Sequence, residues 1–88
     1  MEIQKYAEKE MNRMKEIMKG LKTVNNGKTA KHFYEFSKNY YSDGIYFFKN
    51  KKFIESFEAF IISWSYIDCG LKLKFFQVPL KQKEWFTA

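Results

Sequence analysis

The chain has 88 residues and a mass of 10.7 kDa, enough for one hydrophobic core without disulfides or a metal and too little for two. It is 45% hydrophobic and 20% aromatic with a net charge of +6, and its 18 aromatic side chains against 4 glycines and 1 proline exclude a disordered chain. Its longest uncharged run, the nine residues from Ala59 to Ile67, is less than half of the roughly 20 apolar residues a membrane-spanning helix needs, so no membrane contact is expected.

From Ile3 to Leu21 the apolar residues Ile3, Tyr6, Ala7, Met11, Met14, Ile17, Met18 and Leu21 gather on one side of a helix, and Lys5, Glu8, Lys9, Asn12, Glu16 and Lys19 on the other. This predicts an amphipathic helix over about 3–21. Glu10 falls inside the apolar stripe and is expected to reach a partner at its edge. Asn25-Asn26-Gly27 breaks the helix, with Thr29 placed to cap the next one.

The second helix is predicted over about 30–49, with Phe33, Phe36, Tyr40, Gly44, Phe47 and Phe48 on one side. Gly44 inside it costs about 1 kcal/mol relative to Ala, so either a neighbouring backbone comes close there or the position is suboptimal. Asn50-Lys51-Lys52 is short enough that the third helix, about 53–70, must fold back antiparallel. Phe53, Phe57, Phe60, Trp64, Ile67 and Leu71 form one stripe of that helix, while Ala59, Ile62 and Tyr66 lie nearly opposite. A helix apolar on two sides is covered on two sides, here by the tail or by another subunit. Gly70 fits a helix stop.

The tail, 71–88, begins with the alternating Leu71-Lys72-Leu73-Lys74-Phe75-Phe76. A lone strand has no partner in such a chain, so a helix extension or an extended segment is expected. Pro79 ends it. Trp85 and Phe86 lie where termini fray unless tied down, which points to docking on the core or on another chain. The fold class is therefore all-α: one domain over 1–88, a three-helix, largely antiparallel bundle made of a long N-terminal helix and a helical hairpin, with an aromatic C-terminal tail.

Charge divides unevenly along the chain: residues 1–28 carry +3, 29–70 are neutral and 71–88 carry +3, whereas Tyr6 is the only aromatic residue before position 30. Nucleic-acid surfaces that stack bases on rings need basic and aromatic residues interleaved, and of 16 basic residues only Arg13 is arginine, the side chain that grips phosphate or guanine bidentately. Polyanion binding through the two Lys-rich ends is thus the secondary reading. Cys69 stands alone, so neither an internal disulfide nor a cysteine zinc set is available. The single histidine, His32, has no second His or Cys near it to share a metal. Ser63 and Ser65 flank Trp64 without a base at a telling spacing, the four glycines form no phosphate loop, and no Glu-x-x-His pair occurs. No catalytic residue, metal or cofactor is expected. The acids Asp43, Glu58 and Asp68 border the apolar faces of the hairpin, and the antiparallel turn is expected to bring Asp68 toward His32, Phe36 and Tyr40. As a structural group Asp68 would accept a hydrogen bond from Tyr40 or a terminal amide; as a functional one it would join Asp43 and Glu58 in a small-molecule groove.

Asn39-Tyr40-Tyr41-Ser42-Asp43, then Tyr46-Phe47-Phe48, Phe57-Glu58-Ala59, Trp64, Ile67-Asp68 and Gly70-Leu71-Lys72-Leu73 together resemble an archaeal family of short proteins known as domain of unknown function 357. The resemblance spans Asn39 to Phe76. It departs from the family pattern at Gly44 and Cys69, where alanine is usual, at Ser56, at Lys51-Lys52, where a glycine-aspartate turn is usual, and at Lys74, where glycine is common. It implies a small all-helical fold, an archaeal source and no established activity, and it makes Tyr40, Asp43, Glu58, Trp64, Asp68 and Gly70 the family's signature surface. The two-sided third helix and the aromatic tail point to non-catalytic association with a second copy or another protein. Ile62, Tyr66, Phe75, Phe76, Trp85 and Phe86 are the candidate interface. The opening Met1-Glu2-Ile3-Gln4-Lys5 carries charge where a secretory signal is apolar, so a cytoplasmic location is expected.

Overall fold

A computed structural model describes residues 2–88. Its elements are α1 (Glu2–Gly20), β1 (Lys22–Thr23), α2 (Lys28–Lys49), α3 (Phe53–Lys72), β2 (Phe76–Gln77) and a closing 3₁₀ helix, Leu80–Trp85. The bundle expected from the periodicity is present: α2 and α3 form the antiparallel hairpin, and α1 lies mainly on α3. Ala7, Glu10, Met14 and Ile17 are the buried side of α1, repeating every three or four residues. Glu10 stays at the edge of that side by pairing with Arg13 at 3.2 Å. The core centres on Met14, Ile17, Phe60, Ile67 and Phe76, which draws one layer from α1, one from α3 and one from the tail.

The hairpin is held along a seam of small residues with heptad spacing on both helices: Ala30, Ser37 and Gly44 on α2, Ser56, Ser63 and Gly70 on α3, all buried. The Ser56 hydroxyl donates to the Gly44 carbonyl (2.8 Å) and the Ser63 hydroxyl to the Ser37 carbonyl (2.6 Å). That register sets Ala30 opposite Gly70. Small side chains bring the two backbones close enough for the Ser56 and Ser63 hydroxyls to cross between helices and be satisfied there, while the buried Ser37 hydroxyl donates to the Tyr34 carbonyl of its own helix. The glycines on this seam admit rings. A Cβ at Gly44 would stand 2.5 Å from the Phe60 ring, and one at Gly70 would overlap the Phe76 ring. Gly44 thus marks a close approach, its nearest neighbour being the Phe60 side chain.

The sequence-based expectation differs from the structure at three boundaries. Helix α2 starts at Lys28 with Gly27 at its N-cap, so Thr29 lies inside the helix and caps nothing. The Asn25 side chain accepts from the Gly27 amide at 2.7 Å and folds the connection before Thr29 is reached. Helix α3 does not stop at Gly70 but runs two residues further. Its end is a Schellman closure around Lys74 (φ 64°), in which the Phe75 amide reaches the Gly70 carbonyl (2.8 Å) and the Lys74 amide the Leu71 carbonyl (3.2 Å). The same closure ends α2 around Lys51 (φ 61°), with Lys52 bonded to Phe47 and Lys51 to Phe48. The tail does find a strand partner: β2 pairs antiparallel with β1, Lys22 opposite Gln77 and Thr23 opposite Phe76. The partner is the connection between the first two helices, which carries no strand periodicity of its own.

Candidate functional site

The six residues of the signature surface lie in two places. Trp64, Asp68 and Gly70 face the tail. The Asp68 carboxylate, 7% exposed, accepts from the Thr87 amide (2.9 Å), the Thr87 hydroxyl (2.5 Å) and the Ala88 amide (3.2 Å). The Trp64 indole N–H donates to the Trp85 carbonyl at 2.9 Å, and its ring stacks parallel to Phe86 with centroids 5.9 Å apart. Arg13 reaches over the Trp85 ring at 6.0 Å, and the buried Gln82 amide donates to the Glu16 carbonyl at 3.1 Å. These contacts tie the tail across α1 and α3. Asp68 is thus bonded to Thr87 and Ala88 and not to Tyr40, and it stands apart from Asp43 and Glu58. The docking expected for Trp85 and Phe86 takes place on the chain's own core, and Phe76 is buried under Gly70. Those three are therefore removed from the candidate interface.

Tyr40, Asp43 and Glu58 lie on the outer face of the hairpin, the side not covered by α1 or the tail. With Phe47, Glu55, Ala59 and Ile62 they line a shallow open groove of about 250 Å³ between α2 and α3. Tyr66 is the centre of this face. It stacks on Phe36 (5.4 Å) and on Tyr40 (6.2 Å), and meets the edge of Phe33 (5.6 Å), which in turn meets Phe75 (5.3 Å). Such pairs hold rings in fixed geometry and each adds roughly 0.5–1.5 kcal/mol beyond area burial. The row is only part covered: Phe36 remains 45% exposed and Ile62 39%. The two-sided apolar pattern of α3 is thereby resolved, with the Ala59 and Tyr66 side against α2 and Ile62 left at the surface. Periodicity puts Phe33, Phe36, Tyr40 and Phe47 on one side of the second helix; the face that Phe33, Phe36 and Tyr40 form with Tyr66 depends on where α3 lies.

Asp43, Glu55 and Glu58 are exposed and form no ion pair, the ion pairs among the described residues being Glu10–Arg13 and Glu16–Lys19. Burial raises the Tyr41 phenol above its usual 10.0; Tyr41 faces α1 and takes no part in the outer face. Among the described residues no group of three or more His, Cys, Asp or Glu is placed to hold a metal ion, and no helix is long and apolar enough to cross a membrane.

These features define a small all-helical bundle with a self-docked tail and an open aromatic face on its hairpin. The chain belongs to the family described as Protein of unknown function (DUF357), which matches residues 4–76. The match takes in all three helices and ends at Phe76, before the rest of the tail. No curated protein and no solved structure matches the chain.

Proposed function

We propose that this protein is a non-catalytic association module of the cytoplasm and that its outer hairpin face binds a second copy of itself. The observation that carries the reading is the row Phe36, Tyr66, Tyr40 and Ile62, three stacked rings and an aliphatic side chain, of which Phe36 and Ile62 are exposed and the two tyrosines half-buried. Contiguous exposed apolar surface of this kind marks association sites on soluble proteins, and aromatic anchors inside a polar rim are the usual anatomy of an interface. A two-fold axis through the middle of the row sets two hairpins antiparallel as a four-helix unit, a closed and self-complementary arrangement. In that arrangement the Asp43, Glu55 and Glu58 end of one copy lies toward the Lys28 end of the other. Ile62→Glu tests it. The side chain is exposed enough for the fold to tolerate the change, and the variant is expected to elute later than the wild type on size exclusion at matched concentration. Identical elution of the two at high concentration overturns the proposal.

A second reading, polyanion binding, is favoured by one observation. The β1–β2 ladder draws the two basic segments together, so that the exposed Lys22, Lys28, Lys31, Lys72 and Lys74 share the end of the bundle where α1 and α3 finish and α2 begins. RNA and DNA titrations across salt test it, with a steep loss of affinity expected as counterions compete. Absence of binding at low salt disposes of it.

A further inference from the structure

We propose that the half-open cavity between the β ladder, the end of α3 and the tail binds a small amphipathic anion, an apolar body carrying a carboxylate or phosphate. The cavity has a volume of about 410 Å³, and Val24, Leu71, Phe76, Val78 and Phe86 supply its apolar wall. That is within the range of roughly 300–1,000 Å³ typical of small-molecule sites, which are mostly apolar with a few placed polar groups. The charged side chains lining it are Lys74 and Lys83, and no carboxylate side chain lines it. An apolar pocket whose lining holds two lysines and no acidic side chain favours a ligand with a buried tail and an anionic head.

Lys74 adds an observation of a different kind. Its backbone is held at φ 64° by the closure of α3, a conformation that glycine adopts freely and a residue with a Cβ does not. That closure fixes where the Lys74 side chain leaves the backbone, at the edge of the cavity. Lys51 provides the control, because it occupies the same backbone motif at the far end of the hairpin (φ 61°) and lines no part of this cavity.

The test uses the full chain with octanoate, octyl phosphate, octylamine and acetate as probes, read by calorimetric titration and thermal midpoint. Octanoate or octyl phosphate is expected to bind the wild type and raise its midpoint by a few degrees near saturation, while octylamine, with the same body and the opposite charge, and acetate, with no body, are not. Which of the two anions binds distinguishes a carboxylate head from a phosphate head. Lys51→Gly and Lys74→Gly are both expected to raise the unliganded midpoint by several degrees. Only Lys74→Gly is expected to weaken anion binding, by tenfold or more. The proposal is overturned if neither anion binds, if octylamine binds as well as octanoate, or if Lys74→Gly keeps wild-type affinity.

Discussion

Replacing Gly44 with alanine opposes two effects of known size. In an exposed helix interior the change from glycine to alanine stabilises by about 1 kcal/mol. Here the new Cβ would stand 2.5, 2.6 and 2.8 Å from three atoms of the Phe60 ring, where carbon atoms settle at about 3.5–4.0 Å, so the ring or the helix must move by about 1 Å. Phe60 is fully buried against Met14, Ile17 and Ile67, and overpacking such a site costs about 1–3 kcal/mol. Moving α2 outward instead stretches the Ser56 and Ser63 hydroxyl bonds across the seam, at about 1 kcal/mol each. The net expectation is a loss of about 0–2 kcal/mol, a fall in midpoint of up to about 10 °C for a chain of this size, measured by thermal and urea unfolding followed by circular dichroism. Phe60→Leu should relieve the overlap, so the double variant is expected to be more stable than the two single losses added together, by about 1 kcal/mol. A Gly44→Ala variant more stable than the wild type, or strict additivity with Phe60→Leu, would refute the close approach as the reason for this glycine.

Ser63→Ala removes the hydroxyl bond to the Ser37 carbonyl without leaving a buried donor unpaired, and a loss of about 1 kcal/mol is expected in urea unfolding. Asp68→Ala removes the acceptor of three tail hydrogen bonds; faster amide exchange at Thr87 and Ala88 is expected, with the seam amides of α2 and α3 keeping most of their protection. Burial raises the Tyr41 phenol above 10.0 in the folded state, so its contribution is fully present below pH 10.0 and is lost as pH rises through the folded value, because the unfolded phenol ionises first. Tyr41→Phe is therefore expected to flatten the alkaline fall in stability above pH 10.0 in unfolding curves compared with the wild type.

The helices were legible because their residues agree locally with the fold. The three- and four-residue spacing of Ala7, Glu10, Met14 and Ile17 on α1 is the spacing that α3 covers, and the short Asn50-Lys51-Lys52 link leaves the hairpin no other direction. The seam was also written in the sequence, as small residues seven apart at 30, 37 and 44 and again at 56, 63 and 70, a pattern hidden by attention to the large side chains between them. What could not be read were the features set by tertiary partners. Gly70 carries the local signature of a helix stop, yet it serves the Phe76 ring, six residues on in sequence and brought back by the turn at Lys74. The strand at Phe76 had no visible mate because Lys22 and Thr23 pair through backbone groups alone. Asp68 and Asp43 both border the apolar faces of the hairpin, but at opposite ends of it, and the tail claims one and leaves the other in water.

The central claim, association through the outer hairpin face, is tested most directly by the solution mass. Light scattering coupled to size exclusion, run from low micromolar to millimolar chain concentration, is expected to show the mass rise from 10.7 kDa toward twice that value, while Ile62→Glu stays at 10.7 kDa throughout. A wild-type mass of 10.7 kDa at every concentration, or a dimer that Ile62→Glu leaves intact, contradicts it.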